Sequence, residues 1–472
     1  MNFIVYDLIL LGVFVLFVFI FIARKRKNLK REGLLLLYPT KWGIKLINRI
    51  GKKYEKVLNV LSYVSITLGF ILMGGVFYML GRIVWIYLFH QNIVRMIKIP
   101  PIMPLLPYLP QVFKLDFLPP LYFTYWIVII AVIAITHEFS HGIFAAKNKI
   151  RIKKTGFGFF PFFLPIFLLA FVELDEKLMA KKEKIKQMAI LSAGTFANVL
   201  TAVLFFFVLW AFFALSFVQA GITFDTYSYS LFPVEKISMM NGVALENASY
   251  EYIVSVVNGT DIVLINDEVY DDGIVGFFQD KEGDYLIGIY DNSPAINAGL
   301  KGAITEINGI KTDSREKFVE ELLKYKPGDT ILITTKTENE TLNFEITLEE
   351  NRENKELPFL GIGFSETEKG GILSRISNLT YLIKKPHVYY EPKFLAGLFI
   401  YDLLWWLVLV SMSVALMNML PVGIFDGGRF LYLAFLAVIK DETKAKKVAR
   451  AVNYFILLIA VLLMILWGIS FK

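Results

Sequence analysis

A chain of 472 residues that is 56% hydrophobic and only 19% charged is too apolar for an ordinary soluble protein, and its apolar residues gather in runs long enough to cross a bilayer. It has no cysteine, which excludes disulfides and thiolate ligands, so a tight metal site has to be drawn from carboxylates and the four histidines, His90, His137, His141 and His387. The net charge of +7 is uneven: about two-thirds of the Asp and Glu lie between Phe224 and Lys369 while the short polar stretches elsewhere are basic, a membrane-topology pattern with no nucleic-acid footprint.

The apolar run Ile4 to Ala23 is followed by Arg24-Lys25-Arg26-Lys27 and Lys30-Arg31. Basic charge after the run, without a small-residue cleavage site, reads as a first membrane helix ending in the cytosol and not as a cleaved leader. A polar, amphipathic connector to about Lys56 leads into a second span, Val57 to Phe89, longer than one crossing requires. Prolines crowd the stretch Ile99 to Pro120 and forbid a continuous helix there, leaving an apolar loop. The next helix, Leu121 to Lys147, is followed by Lys149, Arg151, Lys153 and Lys154 and so runs from outside to inside. From Thr155 to Leu174 the chain is apolar but broken by Gly and Pro and flanked by positive charge. A re-entrant hairpin fits that pattern better than a crossing. A helix from about Gln187 to Phe217 then leaves the cytosolic side.

An acidic aqueous domain is expected from Gln219 to Thr367. Its later half alternates apolar runs with turn signals, then carries an amphipathic helix from Ser314 to Tyr325 stopped by Pro327-Gly328, and strands at Ile331 to Thr335 and Leu342 to Leu348. Two spans close the chain, Phe394 to Leu420 and Val452 to Trp467, with a short helix from Phe430 to Ile439 between them. The fold class expected is a polytopic α-helical membrane protein of about six to seven transmembrane helices, with a membrane re-entrant β-hairpin and an inserted extramembrane α+β domain. Its expected divisions are accessory helices and a Pro-rich loop at 1–120, a first half of the membrane core at 121–218, the extramembrane domain at 219–367, a second half of the core at 368–440 and an accessory helix at 441–472.

His137-Glu138-Phe139-Ser140-His141 is an HExxH pattern. At i and i+4 the two imidazoles share one helical face about a turn apart, a separation that a tetrahedral Zn²⁺ accepts, and Glu138 falls beside them to take a proton from water. The preceding residues, Trp126 to Ile133, put the pattern at membrane depth. Ionisable groups there are costly, and a metal is the natural compensation. A third ligand is offered by Asn418-Met419-Leu420-Pro421-Val422-Gly423-Ile424-Phe425-Asp426-Gly427-Gly428-Arg429, where Pro421 and Gly423 break an apolar helix and deliver Asp426 toward protein. A turn Asp-Gly at the membrane surface is the plainer reading of that residue.

The two motifs, HEFSH in one apolar helix and NMLPVGIFDGG far downstream, resemble the HExxH and NxxPxxxxDG elements of the site-2 protease family of intramembrane zinc metalloproteases, peptidase family M50. Ser192-Ala193-Gly194-Thr195-Phe196-Ala197-Asn198 resembles the family's GPxxN element, with Thr195 where proline is usual. Ser293-Pro294-Ala295, Ala298-Gly299-Leu300 and Ile307-Asn308-Gly309 resemble a PDZ domain of the bacterial protease type. The resemblance implies one Zn²⁺ per chain held by His137, His141 and Asp426, with Glu138 catalytic. It implies that Asn198 contacts the substrate backbone or the oxyanion, although an interhelical amide bond would serve the same residue. Asn418 and Pro421 would position substrate, and Gly361, in Leu360-Gly361-Ile362, would belong to a loop that receives a peptide carboxylate, or else to a simple strand turn.

The expected substrate is a single-pass transmembrane protein cut within the lipid bilayer by regulated intramembrane proteolysis. The active site would face the cytosolic side and the PDZ-like domain the extracytosolic side, where a peptide C-terminus is its expected partner. Two other classes stay open, a membrane metal transporter, which needs further intramembrane polar ligands, and a catalytically silent PDZ scaffold. A membrane protease of the prenylated-peptide class also carries HExxH but needs a late intramembrane glutamate, and none is offered.

Overall fold

The structure, a computed structural model, describes residues 3–33, 35–89, 94, 100–101, 103–115, 118–159, 168–245, 249–256, 263–265, 268–270, 273–280, 283–337, 340–352, 354–364, 381 and 383–469. These form two compact units, Met1–Ala211 with Leu398–Lys472, and Phe212–Gly397.

Among the described residues six helices are long and apolar enough to cross a membrane: α1 (Phe3–Lys25), α3 (Glu55–Phe89), α4 (Phe123–Lys147), α6 (Lys184–Ser216), α7 (Gly397–Asn418) and α9 (Glu442–Ile469). Between them lie the short helices α2 (Ile44–Lys53), α5 (Glu176–Ala180) and α8 (Asp426–Ile439). Helix α8 has 14 residues. At about 1.5 Å per residue it is ~21 Å long, short of the ~30 Å of a hydrocarbon core, so the six-or-seven expectation resolves to six.

The core of the first unit joins Leu72 and Met73 of α3, Phe144 and Ala145 of α4, Ile190 and Ala193 of α6, Ala415 of α7 and Phe430 of α8. Small residues allow the close approach that membrane helices need: Ser192 on α6 donates to Ser65 on α3 at 3.1 Å, and a Cβ on Gly69 would lie 3.2 Å from the Phe430 ring.

Helix α1 carries a buried carboxyl group, Asp7. It accepts from the backbone N–H of Phe123 at 2.7 Å and of Thr124 at 2.9 Å, and from the Tyr108 hydroxyl at 2.5 Å. Asp7 therefore caps the N-terminus of α4 from another helix, satisfying donors that α4 leaves open. Burial, and then the Asp7 acceptor, push the Tyr108 phenol well above its ordinary range, so Tyr108 remains a donor.

A four-stranded antiparallel sheet follows the order β1 (Lys30–Glu32), β2 (Leu35–Thr40), β3 (Ile152–Phe159), β4 (Leu168–Leu174). The hairpin expected between Thr155 and Leu174 is seen as β3 pairing with β4, from Phe159↔Leu168 to Ile152↔Leu174; its tip, residues 160–167, lies outside the described residues. The connector after α1 is not simply polar and amphipathic, because β2 pairs with β3 from Leu36↔Phe159 to Thr40↔Thr155. That leaves β4 as the outer strand. Next to the sheet, α2 packs across α4: Ile47 is fully buried, and a Cβ on Gly51 would lie 2.8 Å from the Ala146 methyl.

The second unit has two cores. One gathers Ile222, Leu300, Ile304, Phe318, Ile331 and Ile346 under a sheet ordered Thr341–Thr347, Thr330–Lys336, Ala303–Ile307, Phe217–Ile222, Val388–Pro392. Its helix, Arg315–Leu322, is capped by Ser314, whose hydroxyl accepts from the Lys317 N–H. The other core gathers Val234, Ile237, Met240, Ile253, Ile287 and Ile289. The unit is wider than the expected 219–367 because the returning strand Val388–Pro392 pairs antiparallel with Phe217–Ile222.

Candidate metal centre

Helical spacing puts His137 and His141 on one face of α4, with ring centroids 4.6 Å apart. Their Nε2 atoms are 3.0 Å apart, and Asp426 Oδ2 lies 3.3 Å from that of His137 and 3.2 Å from that of His141. Asp426 arrives there because the chain breaks after α7 and turns back on itself: a Cβ on Gly428 would lie 2.5 Å from the Val422 carbonyl oxygen, so only glycine fits the turn. The imidazoles are 12% exposed and the carboxylate 22%.

The His141 Nδ1–H donates to the Ile190 carbonyl of α6 at 2.6 Å, which leaves its Nε2 as a lone pair. Two imidazole nitrogens and a carboxylate oxygen thus face one point, where either a proton or a cation has to stand between them. Among the described residues His137, His141 and Asp426 are the group placed to hold one. Tetrahedral Zn²⁺, with bonds of about 2.0–2.1 Å, sets its ligand atoms ~3.4 Å apart, close to the separations seen, and two imidazoles with one carboxylate suit that ion.

Glu138 lies beside the ligands and its Oε2 accepts from the Val172 N–H of β4 at 3.0 Å. A cavity of about 340 Å³ opens onto His137, Glu138, His141 and Asp426, and Asn418 lines it too. Across it Arg429 pairs with Glu176 at 2.8 Å. Pro421 is buried in the break after α7 and does not line the cavity. Asn198 is fully buried, with its amide 3.1 Å from His137 Nδ1, and does not line the cavity either.

Gly361 belongs to the second unit. It holds φ +87°, its carbonyl accepts from the Ser228 N–H at 2.9 Å, and Leu360 accepts from Ala295 at 2.9 Å. Sequence reasoning missed Glu176 and Arg429, whose pairing no local pattern signals, and Ile190, which contributes only a backbone carbonyl. Gly194 was named only as part of the Ser192 to Asn198 segment that resembles the GPxxN element, with no role of its own. A Cβ there would lie 2.5 Å from His141 Nε2 and 2.7 Å from His137 Nε2, so α6 presents bare backbone to both ligands.

The profile of peptidase family M50 matches residues 125–463, more than two-thirds of the chain. The chain belongs to peptidase family M50. Membership and the six apolar helices together make this M50 peptidase-family chain a multi-pass membrane protein. It is similar to zinc metalloprotease RasP of Shouchella clausii (strain KSM-K16), 26% identical over 206 residues, which cover 38% of this chain and 49% of that one. The chain thus spans about half the length of that relative. It is also 27% identical to the PDZ domain of an SdrC-like protein from Listeria monocytogenes, known from a crystal structure, over 20% of this chain and 90% of that one. The TM-score is 0.14, so that likeness is one of sequence and not of superposed folds.

Proposed function

We propose that this M50 member is a zinc-dependent intramembrane endopeptidase that hydrolyses a peptide bond within the transmembrane segment of a membrane-tethered protein. The observation that carries the reading is the meeting of three atoms able to ligate a metal, His137 Nε2, His141 Nε2 and Asp426 Oδ2, beside Glu138 on a cavity of about 340 Å³. When bound by these residues, zinc supplies Lewis-acid polarisation of the scissile carbonyl and acidifies the attacking water.

Glu138 accepts the proton of that water and passes it to the leaving amine, so the peptide bond ends as a carboxylate and an amine. The Val172 N–H holds one Glu138 oxygen, which aims the other. A helical substrate must unwind before its peptide bond is exposed, and β4, as the outer strand, offers backbone groups to an extended chain by strand addition. The hairpin formed by β3 and β4 is accordingly read as re-entrant, and Asn418 as a cleft residue that positions substrate; Pro421 shapes the break that delivers Asp426.

The second unit is read as PDZ-like and extracytosolic, with the turn at Gly361 receiving a peptide carboxylate from substrates already trimmed outside. The basic stretches after α1 and α4 support a metal centre toward the cytosol. The test is cleavage of a fluorescent single-pass substrate in detergent by wild type and Glu138→Gln, with bound metal quantified in both. Glu138→Gln is expected to keep about one zinc per chain and lose about 10²–10⁴-fold in rate, the usual loss of a general base. Equal rates would remove the enzymatic reading, and no metal in either protein would remove the site.

A further inference from the structure

We propose that Asn198 is a positioning residue for the ligand His137: its amide oxygen accepts the His137 Nδ1–H and so fixes which ring nitrogen faces the metal. The proposal rests on the metallopeptidase reading but assigns Asn198 to the metal site and not to the substrate.

One face of α6 carries Ile190, Gly194 and Asn198, at i, i+4 and i+8, about 6 Å apart along the axis. It runs against the face of α4 that carries the two imidazoles. Ile190 O receives His141 Nδ1 at 2.6 Å, the Gly194 backbone lies against both Nε2 atoms, and the Asn198 amide meets His137 Nδ1 at 3.1 Å. The two rings are thus held the same way from the same helix, one by a backbone carbonyl and one by a side-chain amide.

The proton on His137 follows from its other nitrogen. His137 Nε2 faces Asp426 Oδ2 at 3.3 Å and His141 Nε2 at 3.0 Å, the direction in which a ligand needs its lone pair. Nδ1 then carries the hydrogen and requires an acceptor. Asn198 presents Nδ2 to it, while Oδ1 is buried with no partner among the described residues. Two N–H groups cannot bond to each other. A half-turn of the amide exchanges its oxygen and nitrogen with no other movement and completes the bond. One amide atom is unpaired in either orientation, so the imidazole proton decides. Asn198 is 0% exposed and away from the cavity lining, which places it behind the ligand and not in front of a substrate. Groups that orient a ligating histidine in this way set both ring direction and basicity.

The test compares full-length wild type, Asn198→Leu and Asn198→Asp in detergent, reading zinc affinity by chelator competition and the visible spectrum of the Co²⁺-loaded proteins. Asn198→Leu, near in size but with no acceptor, is expected to weaken zinc by about 10–100-fold and to alter the Co²⁺ bands. Asn198→Asp keeps an oxygen at the same place and is expected to restore most of the affinity. Wild-type zinc affinity and an unchanged spectrum in Asn198→Leu would overturn the proposal, as would Asn198→Asp binding no better than Asn198→Leu. Should Asn198→Leu not fold, the imidazole ¹⁵N spectrum of zinc-loaded wild type decides: a hydrogen on His137 Nδ1, protected from exchange, supports the proposal, and a bare Nδ1 overturns it. Wild type that binds no zinc overturns the metallopeptidase reading itself, an outcome distinct from all of these.

Discussion

Gly194 leaves the metal centre almost no tolerance, because a single methyl there would lie 2.5 to 2.7 Å from ring atoms of both imidazoles. The rings cannot swing aside without leaving Ile190 and Asn198, so steric relief and metal geometry are in conflict. Gly194→Ala is therefore expected to purify as a folded protein with its zinc content near zero, as read by metal analysis beside helix melting. Full zinc occupancy in that variant would show the rings to be freer than the geometry implies. The sequence carried part of this. HExxH spacing places two imidazoles on one helical face in any context, and the Pro421 and Gly423 break makes Asp426 conspicuous. What an amide such as Asn198 bonds to is set by the facing helix, and a run such as Ser192-Ala193-Gly194 signals close packing without naming the neighbour.

At the scale of the elements, the contact between β4 and α4 links the outer strand to Glu138, the proposed general base, through one hydrogen bond, Val172 N–H to Glu138 Oε2. That N–H points away from β3, so proline at this position removes the link and spares the ladder. Val172→Pro is expected to keep the fold and lower kcat by about 10- to 100-fold, the equivalent of one hydrogen bond to a charged group. An unchanged rate, measured on the same fluorescent substrate, would separate β4 from the chemistry. The hairpin itself was legible in the Gly and Pro interruptions between Thr155 and Leu174, but β1 and β2 were not. Leu35-Leu36-Leu37 has no alternation and is made of good helix formers, and it becomes a strand because β3 offers it a partner. Helix α2 escaped for a related reason: its amphipathic pattern reads equally well as a surface connector until Gly51 is seen against Ala146.

For the whole molecule, both connections to the second unit run side by side, with Thr223 N–H donating to the His387 carbonyl at 3.0 Å and Ile222 paired with Val388. Residues 223–387 can thus be excised and the ends rejoined by a short glycine link. If the unit restricts access to trimmed substrates, the excised protein is expected to cut trimmed and untrimmed single-pass proteins at similar rates, read by gel assay of both. Undiminished preference for the trimmed form would remove that role. Hydropathy gave the six candidate crossings among the described residues once helix length is applied to α8, because burial in lipid writes itself in long apolar runs. The second core, around Val234 and Ile287, left a weaker trace, since its strands are short and their pairing is non-local.

The strand order β1-β2-β3-β4 has one more consequence. With β2 zipped along one margin of the hairpin, only the β4 margin lacks a ladder partner among the described residues, and Glu138 already holds its Val172 N–H, so under the proposed strand addition a guest chain would meet a one-sided and partly filled template. Such a guest would have to seat its own backbone groups to either side of Val172, so its register would be limited before any side chain is recognised.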